Sequence, residues 1–206
     1  GIKNSSVTQK LALGTIDISS DGYATRYSAI PTIVPEGMKA GLVTVTEENK
    51  LLIDYCYGEG DVIPALTGVI LAAQEGTYPQ VFVAANTTVP TNNCLYGSLV
   101  DEETQAPQEE TEYSFYAFTR QNETLGFFWA AENGAAFTNK AGEAYLAIPK
   151  SETLQNGFSV NDLETGISNQ EMSVTHQRAT YDLQGRRVMR PSQGIYVQDG
   201  VLRLIK

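Results

Sequence analysis

"YSFYAFTRQNETLGFFWA", residues 113–130, is the stretch on which the fold turns. Two apolar runs, 113–119 and 124–130, flank the polar tetrad "RQNE" at 120–123. Aromatic residues suit a pleated surface, so the runs read as strands and the tetrad as a hairpin loop. Both faces of each run are apolar: Phe115 and Ala117 alternate with Tyr116 and Phe118, and Phe127 and Trp129 with Phe128 and Ala130. Strands of that kind belong inside a sandwich, covered above and below.

The same grammar extends outward in both directions. Short runs rich in Val, Ile, Tyr, Phe and Thr recur at 22–28, 41–47, 50–55, 69–73, 80–85, 144–148 and 157–161. Turn pairs such as Asp21-Gly22, Glu36-Gly37, Asn133-Gly134 and Asp199-Gly200 punctuate them. No stretch keeps an apolar stripe at helical spacing for three turns. The expectation is an all-β fold: an antiparallel β-sandwich, jelly-roll or Ig-like, with a short C-terminal β-meander. An internal echo links "GDVIPALTGVILAA" from Gly60 to "GAAFTNKAGEAYLAI" from Gly134, 74 residues later. Each places a large apolar residue three positions after the first glycine and a second glycine eight positions after it, ahead of an apolar strand. Similar turn-to-strand entries explain this as well as a duplication does.

The chain has 206 residues, enough for one large β domain plus a small module. Composition turns polar after 150, which predicts a β-sandwich over 1–165, a linker over 166–178 and a short β-meander over 179–206. The meander is too small to hold a core alone.

Twenty-four acidic residues against 14 basic ones give a net charge of −10. That field repels polyanions, so nucleic acid is not an expected partner. No run approaches the roughly 18 apolar residues of a membrane helix, and no membrane insertion is expected. Charge is uneven, since 176–206 carries six basic and two acidic residues. Arg186, Arg187 and Arg190 are the candidates for recognition of this basic tail. At the other extreme, "DEETQAPQEETE" at 101–112 has six carboxylates and no base, and reads as a solvated loop.

Catalytic constellations are scarce. The single histidine, His176, falls in the polar linker, which leaves a Ser-His-Asp or Cys-His arrangement without a rigid support. No spacing fits zinc, a phosphate loop or a dinucleotide fingerprint, so neither a metal nor a cofactor is expected. "DISSDG" at 17–22 opens like a calcium loop but has Ser28 at the twelfth position, and reads as a hairpin turn. A glycan-active enzyme needs only two carboxylates, for which Asp54 and Glu47 are the strand-borne candidates. Tyr113, Tyr116, Phe128 and Trp129 are candidates for a sugar-stacking platform, weighed against the core role that large aromatics usually take. Cys56 and Cys94 either form one disulfide in an exported protein or remain two thiols.

The run from Gly22 to Ile53, "GDVIPALTGVILAAQEGTY" from Gly60, "LGFFWAAENGAAFTNKAGEAYLAIP" from Leu125 and "YDLQGRRVMRPSQGIYV" from Tyr181 together resemble the C-terminal region of secreted and surface proteins of Bacteroides-type bacteria. The tail is similar to the last strands of type IX secretion sorting domains, although it is shorter and has Gly200-Val201-Leu202 where "G-K-K" is common. The resemblance implies an extracellular or cell-surface address and hands over no catalytic residues. It points to a non-catalytic accessory or adhesion-type module whose partner is a glycan or other surface polymer. The alternatives are a sorting or anchoring domain read by the secretion machinery, and a glycan-active enzyme.

Overall fold

A computed structural model describes residues 11–46, 50–150, 155–160, 164–166, 180–181, 187–188, 194–198 and 201–205. The chain divides into two compact units, Gly1–Gly166 and Ile167–Lys206. It is an all-β protein built from antiparallel sheets, and its first unit stacks three of them.

The front sheet has the order β1 (Leu11–Ile18), β8 (Gly76–Phe82), β3 (Thr32–Ile33), β6 (Val62–Ile63). The middle sheet runs β16 (Glu164–Gly166), β5 (Leu51–Tyr57), β4 (Met38–Val45), β7 (Val69–Ala73), β2 (Tyr23–Arg26). Its one parallel pair is β16 on β5. The back sheet runs β15 (Gly157–Ser159), β12 (Thr124–Phe128), β11 (Tyr113–Gln121), β14 (Ala144–Pro149), β9 (Leu95–Gly97). A two-stranded ribbon, β10 (Glu102–Glu103) with β13 (Thr138–Asn139), and a 3-10 turn at Glu132–Gly134 complete this unit.

Strand alternation explains the stacking, because successive side chains leave opposite faces of a strand. Along β4 and β7, Ala40, Leu42, Val69 and Leu71 point into one core with Ile18, Val34 and Ile63 of the front half. Val43 and Ile70 point the other way, into a second core with Leu95, Tyr116, Phe127, Leu146 and Phe158 of the back sheet. The middle sheet is therefore buried on both faces. A continuous apolar run such as "VILAA" in β7 fits that position, and each fully buried aliphatic or aromatic side chain contributes about 1.5–3 kcal/mol relative to exposure.

The hairpin of residues 113–130 lies in the back sheet. Its turn is tighter than the tetrad suggested: β11 extends to Gln121 and β12 starts at Thr124. Asn122 and Glu123 alone make the loop, both with positive φ (48° and 65°) as a type I′ turn requires. One face of β11 and β12 meets the middle sheet. The other carries a third cluster, Phe115, Tyr145 and Ala147, flanked by Tyr96, Tyr113 and Phe137.

Segment 101–112 helps to cover that outer face. Tyr145 Oη donates to Gln105 O and accepts from Gln105 N, each at 3.2 Å. Thr104 is buried, and its N–H donates to Phe137 O at 2.9 Å. Segment 101–112 is thus pinned at 101–105, where a solvated loop was expected, while Glu109 and Glu110 are exposed.

The "DISSDG" stretch makes a turn, with Gly22 N donating to Ser19 O at 2.9 Å, but the strands on either side enter different sheets. It is a corner between layers rather than a hairpin. The two echoing segments correspond to similar entries, a two-residue strand (β6, β13) followed by a long buried one (β7, β14).

The second unit contains an antiparallel sheet of four short strands, in the order β18 (Arg187–Val188), β17 (Thr180–Tyr181), β19 (Gly194–Gln198), β20 (Val201–Ile205). β19 and β20 form its long hairpin, with Gly194 opposite Ile205 and Gln198 opposite Val201.

Candidate binding cleft

The four aromatic residues singled out from the sequence do not share one surface. Tyr116 has no exposed area, and its hydroxyl donates to Gln155 O at 3.0 Å. Trp129 packs against the same core, 6.2 Å ring to ring from Tyr116. Phe128 faces outward and lies flat across the backbone of β15: a Cβ built on Gly157 would fall 2.0 Å from Phe128 Cδ1. Tyr113 belongs to the outer cluster, 6.5 Å from the Phe115 ring. Tyr116 and Trp129 thus take the core role, because period-2 alternation sends them inward and Phe128 outward.

Cys56 and Cys94 are free thiols, not a disulfide. Cys56 is exposed on β5, whereas Cys94 packs against the core between the middle and back sheets. Burial is the first cause pushing both thiols above their ordinary pKa, so neither is primed as a thiolate. Asp54 is exposed on β5. Glu47, His176, Arg186, Arg190 and 167–178 of the expected linker lie outside the described residues, and Arg187 is described only as backbone of β18.

The structure instead brings together residues that the sequence scatters. Where the end of β2 meets the edge strand β9, a cleft of about 260 Å³ is lined by Tyr27, Tyr96 and Tyr145 together with Pro90, Thr91, Gln105 and Pro107. The tyrosines arrive from three elements. Tyr27 follows β2, tied by its N–H to Gly142 O at 2.9 Å. Its ring lies on Gly97, where an added Cβ would fall 2.2 Å from Tyr27 Cγ. Only a glycine at position 97 lets that ring settle against β9. Tyr96 and Tyr145 are directly paired across β9 and β14, with ring centroids 6.3 Å apart and a tilt of 35°.

Asn93, also in the lining, is held by four hydrogen bonds. Its Oδ1 accepts from Val43 N (3.1 Å) and Leu95 N (3.2 Å), and its Nδ2 donates to Gly68 O (2.8 Å) and Leu95 O (3.3 Å). Next to it, Cys94 donates its N–H to Val43 O and accepts at its carbonyl from Ala147 N. Val43 of the middle sheet, Gly68 just before β7 and Ala147 of the back sheet are thereby tied to one short segment.

No lining residue carries an Asp, Glu, Lys, Arg or His side chain. Burial, then the nearby Glu102 carboxylate, raises the pKa of Tyr27; burial is also the main cause at Tyr145 and Tyr96. All three remain neutral phenols at physiological pH, able to donate and to accept. Among the described residues, the Tyr27 and Tyr96 hydroxyls, the Thr91 hydroxyl and the Gln105 amide make no hydrogen bond within the protein, and are available to a ligand. Tyr96, Tyr27 and Tyr145 escaped the sequence reading because each sits in a different short element. The pairing of β9 with β14 joins Tyr96 to Tyr145, and the Gly97 contact adds Tyr27.

No protein-family model, curated protein or solved structure matches the chain.

Proposed function

We propose that this chain is a non-catalytic extracellular accessory or adhesion-type module of an exported bacterial protein, holding a glycan or other surface polymer in its tyrosine-lined cleft. The observation that carries this reading is the cleft itself. Three phenol rings are held in place by strand pairing and by the Gly97 contact, so that a ligand meets a surface already shaped. Depletion binding to insoluble polysaccharides and cell-envelope fractions tests it. Retention of the protein on at least one of them is expected, and none on any would sink the reading.

A second reading, a sorting or anchoring domain, draws on the tail's own four-stranded sheet, which clusters as a compact unit by itself. Deleting residues 181–206 from the exported parent and following secretion and thermal stability separates the two. Lost secretion with an unchanged melting temperature favours sorting, and undiminished secretion removes it.

A further inference from the structure

Resting on the binding-module reading, we propose that the cleft lined by β9 and residues 105–107 selects an uncharged sugar ring, with Tyr96 as the stacking face and Tyr27, Thr91 and Gln105 as the hydroxyl-reading groups. Charge favours a neutral ligand. The lining has no ionic side chain, while Glu102 stands close enough to act on both Tyr27 and Tyr145, and the whole chain carries −10. A uronate, sulfate or phosphate would enter against that field with no cation in the described lining to pair with.

The surfaces also match. A pyranose ring has an apolar C–H face and a rim of hydroxyls that both donate and accept. The cleft has the complement, aromatic faces flanked by free hydroxyls and a primary amide. Proline-rich peptides also use aromatic-lined grooves, but there the ligand supplies the prolines. Here Pro90 and Pro107 belong to the cleft's own lining.

Size and rigidity suit a single ring. About 260 Å³ falls just under the roughly 300–1,000 Å³ of drug-sized sites, so it suits one ring and its linkages. Tyr145 is fastened to both backbone groups of Gln105, which holds these two lining residues together.

The test titrates the full chain by calorimetry and ligand-observed NMR. The probes are neutral gluco-, galacto-, manno- and xylo-oligosaccharides, oligogalacturonate, choline and a decaproline peptide. Saturable binding of at least one neutral oligosaccharide is expected, weakened about tenfold or more by Tyr96→Ala. Gln105→Ala, an exposed substitution, should also weaken it with an unchanged melting temperature, which covers the case of Tyr96→Ala failing to fold. Preference for oligogalacturonate, choline or decaproline would overturn the ligand class. Neutral-sugar binding that neither variant affects would overturn the cleft as the site, here and in the proposed function alike. Absence of any oligosaccharide binding, with retention on a non-carbohydrate envelope fraction, would overturn the inference alone.

Discussion

Asn93 makes four hydrogen bonds with one side chain, and no hydrophobic residue of its size can replace them. Truncation leaves partly buried backbone groups of Val43, Gly68 and Leu95 without partners, at about 1–3 kcal/mol for each group that water cannot reach. Asn93→Ala should therefore destabilise the protein by about 2–4 kcal/mol in urea unfolding. A change under about 0.5 kcal/mol would show that water takes over these bonds. Glu123 presents the opposite case. It holds φ at 65° in a two-residue turn where glycine is preferred, and its backbone carbonyl, not its carboxylate, accepts from Arg120. Glu123→Gly should keep the turn and raise stability by up to about 1 kcal/mol, read from the shift of the denaturation midpoint.

Among the elements, the 101–112 segment has changed character most between sequence and structure. Its composition is that of a solvated loop, yet Thr104 and Gln105 are tied to Phe137 and Tyr145. Tyr145→Phe removes the tie to Gln105 while keeping the ring. Hydrogen exchange should then speed up at residues 103–107 by about tenfold, with exchange in β4 and β7 unchanged. Asp101 anchors the start of the segment, accepting from Lys140 Nζ and from Ala141 N, both at 2.9 Å. These bonds, that from Lys140 first, hold its pKa below the ordinary 3.8. A depressed carboxylate stabilises the folded state above its ordinary pKa, and the benefit disappears as pH falls through the depressed value. Protection at 101–105 should consequently fall as the pH drops below the ordinary 3.8, and Asp101→Asn should abolish that pH step.

At the scale of the whole molecule, stacking three sheets buries phenols as well as aliphatic residues. Burial is the first cause raising the pKa of Tyr27, Tyr55, Tyr57, Tyr96, Tyr116 and Tyr145 above 10.0. A raised pKa means that the folded state holds its protons more tightly than the unfolded chain. Stability from these groups is complete below pH 10 and is lost as pH rises beyond it. Absorbance titration of phenolate should show fewer tyrosines ionised at pH 10.5 in buffer than in 8 M urea, and the urea midpoint should fall across the same range. Equal ionisation in both solvents would contradict the burial of these rings.

Residue chemistry alone was enough for the all-β class, because period-2 alternation, aromatic runs and glycine turns are local properties. Strands β5, β7, β11, β12 and β14 lie where those patterns place them, β4 and β8 begin three or four residues earlier, and β1 falls where no strand was expected. The patterns were weaker for β3, β6, β10 and β13, two residues each, since such strands exist only through the partners they meet. The middle layer was equally hidden: "VILAA" reads as buried, but burial between two sheets rather than one depends on what packs from each side. The cleft was the least legible feature. Tyr27, Tyr96 and Tyr145 are separated by up to 118 residues and converge because β9 pairs with β14 and because Gly97 admits the Tyr27 ring. Local physics determined what kind of surface each strand carries, and long-range pairing alone decided which surfaces face one another and which are left open to a ligand.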